Sequence, residues 1–267
     1  MPLTVRIIEG RRARNFDKST KVLVDIFRST SSMPVIMARG AARILPTDSI
    51  REARKLRRLN PSYVLVGERY GLRIPGFDYN NSPVELMNAH VDGKTIVFTS
   101  TNGTRVLRKI SGTGRILIGS FINAGAIAEA LSSEDNVDII LSGRPDGSAD
   151  EDQIFGEYLR EILEGSNPDF KIYADRVRQS KGAARLRIMG SGPDIEACLQ
   201  LDSAFFGASA AWAGAATAIL AAFFSTSSIL TSFRLDTSDF SLASSALTPA
   251  SVSTFLRFSS STSFPAE

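Results

Sequence analysis

Seven short runs rich in Val, Ile and Leu, separated by segments with helical spacing, constrain the fold of this 267-residue chain more than any other feature. Most runs are continuously apolar, which is typical of strands covered on both faces. Strands that alternate with helices favour an α/β fold whose largely parallel or mixed sheet carries helices on both sides. The predicted strands are 4–8, 21–27, 42–47, 62–68, 94–100, 115–120 and 137–143. The predicted helices are 30–40, 49–60, 82–89, 103–111, 123–133 and 150–164, with further helical segments over 168–202.

Composition excludes several kinds of site. The single cysteine, Cys198, rules out an internal disulfide and a cysteine zinc cluster, and the single histidine, His90, rules out a His-rich metal centre. Any metal is therefore expected on oxygen ligands, which favours magnesium, manganese or calcium. The basic segment 51–58 is interpreted as the solvated face of a helix, since no aromatic residues interleave with its charges, and no nucleic-acid partner is expected.

Residues 205–267 differ in composition from the rest of the chain, because they contain only five charged residues. Segment 208–224 is uncharged, near the lower length limit for a bilayer span, but it is rich in Ala, Gly and Ser and lacks a flanking basic cluster. Three interpretations stay open: a disordered or loosely packed appendage, a membrane anchor, and sequence never selected to fold, such as a shifted reading frame.

The predicted organisation is therefore an α/β domain over residues 1–204, in one or two subdomains, followed by a low-complexity tail over residues 205–267. The first residues have the pattern of a strand and a basic loop rather than of a signal peptide, so a cytoplasmic location is expected. Membrane association is not expected, and the sequence leaves homo-oligomerisation open.

The first segment with chemical potential follows the apolar strand that ends near residue 24. Asp25, Arg28, Ser29 and Thr30 place an acid, a guanidinium and two hydroxyls at a strand-to-helix junction. The carboxyl ends of strands in α/β sheets are where ligands usually bind. Asp25 is interpreted as a metal ligand, Arg28 as an oxyanion clamp and the hydroxyls as helix caps; an ordinary cap beside a surface arginine is the alternative.

The second segment follows another apolar strand, which Glu68 closes. The loop 76–83 after it carries Asp78, Asn81 and Ser82 ahead of a predicted helix. This arrangement gives a carboxylate at a strand end beside an adaptable polar loop. Ser82 is also a good N-cap for a helix with proline at its first position, so both interpretations can hold.

The third segment, Thr101, Asn102, Gly103 and Thr104, opens a helix directly after the strand 94–100. Backbone N–H groups at a helix N-terminus favour an anion. The segment lacks the spacing and the lysine of a nucleotide-binding P-loop, so a small phosphate or sulfonate is expected rather than ATP.

Two later segments are similar in kind. Segment 119–123, which includes Asn123, is a poorer version of the same turn. Arg144 follows the last predicted strand, and Glu151 and Asp152 begin the next helix. Acids in a first helical turn also serve simply as partners of the helix dipole, and that interpretation stays open.

Six motifs, in this order, resemble the 2-phosphosulfolactate phosphatase family over about residues 5–203. They are DIFRSTSS (25–32), GERYG (67–71), GFDYNNSPVE (76–85), TSTNGT (99–104), GSFINA (119–124) and the acid pair at 151–152. The resemblance implies a magnesium-dependent phosphatase of coenzyme M biosynthesis, with an α/β fold, that hydrolyses the phosphate ester of a small sulfonated hydroxy acid. The acid pair of that family usually follows Ser and Leu, where this chain has Ala149 and Asp150. This departure bears on the prediction of the substrate more than on the prediction of the fold.

On this basis we expect catalysis by Asp25, Arg28 and Glu68, with Asp25 either attacking phosphorus or orienting the attacking water. The predicted magnesium ligands are Asp25, Glu68, Asp78, Glu151 and Asp152. The predicted substrate-binding residues are Ser29, Thr30, Arg69, Asn81, Ser82, Thr101, Asn102, Gly103, Thr104, Asn123 and Arg144. Of these, Arg69 or Arg144 is expected to hold the sulfonate or carboxylate of the substrate.

Two alternatives accompany this prediction. The first is a phosphatase of the same fold that acts on another phosphorylated hydroxy acid. The second is a non-catalytic binder of a phosphorylated metabolite. The acids disfavour the binder, because carboxylates facing an anion are useful only when a cation lies between them.

Overall fold

The computed structural model describes residues 3–203, apart from residues 146 and 148. The predicted tail 205–267, with the candidate span 208–224, lies outside these residues. The strands are β1 (Thr4–Glu9), β2 (Thr20–Val24), β3 (Arg43–Pro46), β4 (Val64–Arg69), β5 (Leu72–Arg73), β6 (Thr95–Thr99), β7 (Ile116–Gly119) and β8 (Asn136–Leu141). The helices are α1 (Ser29–Ala38), α2 (Ile50–Leu59), α3 (Pro83–Leu86), α4 (Gly103–Ile110), α5 (Ala124–Ala130), α6 (Asp150–Leu163), α7 (Phe170–Arg178), α8 (Lys181–Ile188) and α9 (Pro193–Cys198), with a 3₁₀ turn at Phe121–Asn123.

The strands form two four-stranded sheets. The first has the order β1-β8-β2-β7 and is parallel throughout, so that Val22 on β2 lies between Ile139 of β8 and Leu117 of β7. The second has the order β3-β6-β4-β5, in which only the short β5 runs antiparallel to its neighbour β4. The predicted α/β class with a parallel or mixed sheet is confirmed, and the sheet is divided in two.

Alternation along β2 explains how the sheets and helices pack. Val22 and Val24 are fully buried in a core that they share with Phe155 of α6. Leu23 points to the opposite face and joins a second core with Ile36 of α1 and with the inner face of the second sheet. Because successive side chains of a strand alternate between faces, a continuously apolar strand is buried on both sides.

A third apolar cluster covers the outer face of the second sheet. Ala53 of α2 packs there on Leu65 of β4 and Val97 of β6. All residues of segment 51–58 except Ala53 are exposed or half-buried on this helix, as expected for a solvated helix face. Among the described residues, no helix is both long enough and apolar enough to cross a membrane.

Candidate functional site

A cavity of about 250 Å³ lies where the carboxyl ends of strands from both sheets meet. Asp25 follows β2, Glu68 lies near the end of β4, Thr101 follows β6 and Arg144 follows β8, and all four line the cavity. Helix α8 supplies another part of the wall. The fold therefore brings together residues from four of the segments that the sequence analysis selected, at the sheet edge where α/β proteins usually bind ligands.

Asp25 is held in the wall of this cavity by backbone and helix contacts. Its carboxylate Oδ2 accepts a hydrogen bond from the N–H of Gly103 at 2.9 Å, and its own N–H donates to Thr30 Oγ1 at 2.9 Å. Burial raises the pKa of Asp25 to about 6, and the nearby negative charge of Glu68 adds to the rise. Near neutral pH, Asp25 is therefore an ionised acid close to its titration range.

Glu68 is fixed by the turns that follow β4 and β6. Its Oε1 accepts from the N–H of Thr101 at 2.5 Å, and its Oε2 accepts from the N–H of Gly71 at 2.6 Å and from Thr101 Oγ1 at 3.0 Å. The N–H of Thr104 donates to Ser100 Oγ at 3.0 Å. Amides of the turn that we expected to hold a phosphate instead donate to the protein's own oxygens, in two cases to the acids of the site.

Arg28 lines the cavity but already has a carboxylate partner. Its Nη1 lies 2.6 Å from Asp194 Oδ2, and both side chains are almost completely buried. Its Nη2 donates to the carbonyl of Gly71 at 2.8 Å. Asp194 also accepts from Ser82 Oγ at 2.5 Å, so that this acid joins the loop before α3 to the start of α1. Arg28 therefore anchors the cavity wall as well as lining it.

The first turn of α6 adds two buried acids. Asp152 accepts from the N–H of Ile26 at 2.8 Å and from Ser142 Oγ at 3.2 Å, which ties α6 to the end of β2. Glu151 forms an ion pair through Oε1 with Arg144. Burial raises the pKa of both acids, and the charge of Asp25 adds to each rise.

Three buried side-chain atoms lack a hydrogen-bond partner within the described residues, and each belongs to a residue predicted for the site. They are Ser29 Oγ, Asn81 Oδ1 and Glu151 Oε2. Ser29 and Asn81 line the cavity, and Glu151 lies behind it against Arg144. Because a buried polar atom without a partner costs free energy, such atoms mark a place where a ligand can form the missing contacts.

The carboxylates do not form the closed cage that the predicted ligand set suggested. Across residues 3–203, with two positions excepted, no three Asp, Glu, His or Cys side chains are placed to hold one metal ion. Magnesium needs no such cage, since it usually binds one or two carboxylates and keeps several waters or substrate oxygens. Asp25 and Ser29 line the cavity, and Ser29 Oγ and Glu151 Oε2 are buried without partners within the described residues, so these residues offer the kind of oxygen donor that magnesium takes.

Comparison with known proteins shows the family. A family model described as 2-phosphosulpholactate phosphatase matches residues 6–206. The chain belongs to the 2-phosphosulfolactate phosphatase family. A Thermoplasma volcanium protein named "Probable 2-phosphosulfolactate phosphatase" is 43% identical over 198 residues, which cover 74% of this chain and 92% of that protein. A protein of the same name from Thermoplasma acidophilum is 42% identical over 199 residues, or 74% of this chain and 88% of the relative.

Not every residue predicted for the site of this phosphatase-family chain lines the cavity. Asp78 pairs with Arg57 at 2.6 Å and accepts from the N–H of Leu65, and none of the three residues lines the cavity. Arg69 donates to Asp48 O and Thr99 Oγ1 and lies beside the cavity rather than in its wall. We therefore leave Asp78 and Arg69 out of the site that we carry forward.

Several other predicted residues hold local backbone structure. Asn123 accepts from the N–H of Ser120 and donates to the carbonyl of Ile118, which shapes the turn after β7. Ser82 accepts from the N–H of Glu85 as the N-cap of α3. Thr104 donates to the carbonyl of Ser100. These contacts place the neighbouring loops, and none of the three polar side chains lines the cavity.

The contribution of α8 to the cavity was not predicted from the sequence. Gly182, Arg185, Leu186 and Met189 line the cavity, although no polar motif after a strand marks this helix. A β-carbon at position 182 would clash with the Arg144–Glu151 ion pair, so this helix approaches the pair closely. The only available signal was the i, i+3, i+4, i+7 spacing of these residues, which describes a helix face without saying what it covers.

Proposed function

We propose that this protein hydrolyses the phosphate ester of 2-phosphosulfolactate to sulfolactate and phosphate, with magnesium as its cofactor. The observation that supports this most is the cavity in which Asp25, Glu68 and Arg144 meet beside unpartnered buried oxygens, in a chain of this family. The related proteins from both Thermoplasma species carry the name of that activity. The proposal extends to coenzyme M biosynthesis and a cytoplasmic location, as the family resemblance implies.

Asp25 and Glu151 are the residues that we propose as magnesium ligands, with Ser29 Oγ as a third oxygen donor. Ser29 Oγ and Glu151 Oε2 are buried without partners, and the pKa values of both acids are raised by burial. A cation relieves this cost because it favours the ionised carboxylates. When bound, magnesium supplies positive charge to the oxygens of the phosphoryl group.

The residues of the chain then have distinct tasks. The N–H of Gly103 holds Asp25 in one orientation, and Thr101 and Gly71 hold Glu68. Arg144 lines the same cavity and presents a cation toward an anionic substrate. Because these groups are fixed before the substrate binds, little reorganisation is needed when charge develops on the phosphoryl oxygens.

Two routes are compatible with this geometry. In the first, an Asp25 oxygen forms a bond to phosphorus while the ester P–O bond breaks, and water then hydrolyses the acyl phosphate. In the second, Asp25 accepts a proton from the water that attacks phosphorus while the ester P–O bond breaks, and the leaving alkoxide takes up a proton from solvent. Both routes require ionised Asp25, and trapping of a phospho-aspartate separates them.

Phosphate release measured with and without magnesium tests the proposal. We expect release from 2-phosphosulfolactate that requires magnesium and is abolished by EDTA. Asp25→Asn keeps the size of the side chain and should lower kcat by several powers of ten, on the order of losses for essential groups in other enzymes. Asp78→Asn, a carboxylate outside the cavity, is the matched control and should retain kcat within about threefold.

A substrate panel separates the proposal from its alternatives. Faster turnover of phosphoglycolate or phospholactate than of 2-phosphosulfolactate would assign the protein to another phosphorylated hydroxy acid. Tight binding of these esters without phosphate release at any magnesium concentration would make the protein a binder. Near-normal turnover by Asp25→Asn would remove Asp25 from the reaction.

A further inference from the structure

Helix α8 forms one wall of the cavity and places a cation there. Gly182, Arg185, Leu186 and Met189 line the cavity at the spacing of a single helix face. Gly182 and Leu186 are buried, whereas the side chain of Arg185 is exposed. Arg185 therefore borders the cavity on its solvent side.

Of the three arginines that line the cavity, Arg185 is the one without a carboxylate partner among the described residues. Arg28 is paired with Asp194, and Arg144 is paired with Glu151. In the part of the chain that the structure describes, Arg185 has no carboxylate within 4 Å and its guanidinium donates no hydrogen bond. It is thus a guanidinium in the wall with its whole binding capacity available to a ligand.

We propose that Arg185 binds the sulfonate of the substrate and thereby selects sulfonated esters, an inference that rests on the proposed function. In 2-phosphosulfolactate the ester is on the second carbon of lactate and the sulfonate is on the third, so the sulfonate extends away from the reacting phosphorus. With the phosphorus beside Asp25, as the proposed function places it, Arg185 is the cation of the cavity wall that remains for the sulfonate, because Arg28 and Arg144 are paired with carboxylates. A guanidinium fork matches the geometry of a tetrahedral oxyanion.

Kinetics with two substrates test this assignment. For Arg185→Ala we expect the KM for 2-phosphosulfolactate to rise at least tenfold, while kcat stays within about threefold, since the lost contact is made equally in the ground state and the transition state. The KM for phospholactate, which lacks the sulfonate, should change less than about threefold. Arg185→Lys should keep part of the selectivity that Arg185→Ala loses, because lysine retains the positive charge but lacks the two parallel N–H donors of the guanidinium.

Lys181→Ala is the matched control. Lys181 is an exposed cation on the same helix that does not line the cavity, so its removal should leave both KM values unchanged. If Arg185→Ala raised the KM for both substrates equally, or raised neither, the assignment would be overturned. If Lys181→Ala raised the KM for 2-phosphosulfolactate as much as Arg185→Ala does, the assignment would also be overturned. Such a result would indicate an effect of the total positive charge near the cavity and not a contact by Arg185.

A binding measurement separates failure of this assignment from failure of the proposed function. Calorimetric titration with sulfolactate and with lactate requires no turnover. We expect the parent protein to bind sulfolactate at least tenfold more tightly than lactate and Arg185→Ala to lose that preference. If neither ester is hydrolysed but the preference depends on Arg185, the sulfonate site stands and the hydrolase proposal falls. If the parent shows no preference, the sulfonate site falls.

Discussion

Arg28 and Asp194 form an ion pair that is almost completely removed from water, with side chains 2% and 3% exposed and a separation of 2.6 Å. The two charges compensate each other, and further hydrogen bonds run from Arg28 to the carbonyl of Gly71 and from Ser82 to Asp194. Removal of one partner leaves the other buried without a counter-charge, which costs more than the intact pair contributes. The pair is therefore a sensitive point for folding.

Arg28→Met should lower the free energy of unfolding by about 3 kcal/mol, because Asp194 then remains buried without its cation. Urea denaturation followed by circular dichroism measures the change. Arg108→Met is the control, since Arg108 pairs with Asp48 at 2.7 Å while its own side chain is 64% exposed. That pair should contribute less than about 1 kcal/mol. Equal losses in the two variants would show that burial of the Arg28 pair has no special energetic role.

This pair also shows what sequence can and cannot predict at the level of residues. Asp25, Glu68 and Arg28 were selected because each lies near the end of an apolar strand, and all three line the cavity. Asp194 was not selected, although it is the partner of Arg28, because 166 residues separate them and no local pattern relates them. Residue chemistry at a strand end is local information, whereas the identity of its partner depends on the whole fold.

At the scale of elements, the start of α4 fits closely against the junction of β2 and α1. A β-carbon at position 103 would lie 2.7 Å from Asp25 Oδ2 and 2.9 Å from Ser29 Cβ. Gly103 thus allows the helix to approach near enough for its N–H to reach Asp25. The glycine of this turn is required by close packing and not by an unusual backbone angle, since its φ is not positive.

Gly103→Ala should push α4 away from Asp25 and break the hydrogen bond to its carboxylate. We expect a loss of about 1–3 kcal/mol in the free energy of unfolding and a fall in phosphatase activity of at least tenfold. Gly192→Ala is the control, because a β-carbon there has its nearest neighbour at 3.9 Å and the backbone is helical. Urea denaturation and steady-state kinetics on both variants measure these two changes. Wild-type stability and activity of Gly103→Ala would mean that α4 can shift without consequence.

The elements themselves could largely be predicted from the sequence, and the exception has a physical reason. The continuously apolar runs correspond to seven of the eight strands in the described residues, because a strand buried on both faces has no polar alternation. Strand β5 was missed, since it has two residues that are both exposed and carry no periodic signal. It nevertheless matters to the site, because the turn between β4 and β5 places Gly71 on Glu68 and Arg28.

At the scale of the whole molecule, the division into two sheets could not be predicted. Parallel partners are distant in sequence, and β2 pairs with β7 and β8 although β3 follows it along the chain. The hydrophobic pattern is the same for every pairing of such strands, so it specifies the class of fold without the strand order. The site depends on that order, because it collects strand ends from both sheets.

The same convergence concentrates buried acids, and it predicts how stability depends on pH. Asp25, Glu151 and Asp152 all have raised pKa values, with burial as the first cause. For Asp25 the value rises from 3.8 to about 6, so the folded protein binds this proton more tightly than the unfolded chain does. Stability from this group is therefore fully present below about pH 4 and is lost as the pH rises through about 6.

Asp25→Asn removes this titration while keeping the acceptor for the N–H of Gly103. Without magnesium, in EDTA, the variant and the parent should have similar unfolding free energies below pH 4. Above about pH 6.5 the variant should be more stable, by on the order of 2–3 kcal/mol, because a shift of about two pKa units corresponds to that free energy. Urea denaturation from pH 3.5 to pH 8 measures the difference. Curves that run parallel over this range would show that Asp25 ionises in the folded protein as it does in water.

Magnesium should reverse that order of stability. If Asp25 is a ligand, millimolar magnesium stabilises the parent at pH 7.5 by binding only the folded state, and the gain grows with the logarithm of its concentration. Asp25→Asn should gain much less, so that an inactive variant is the more stable protein in EDTA and loses its advantage in magnesium. An equal gain in both proteins would place the ion elsewhere. The raised pKa of Asp25 would then have its origin in burial alone, with no link to the proposed cation.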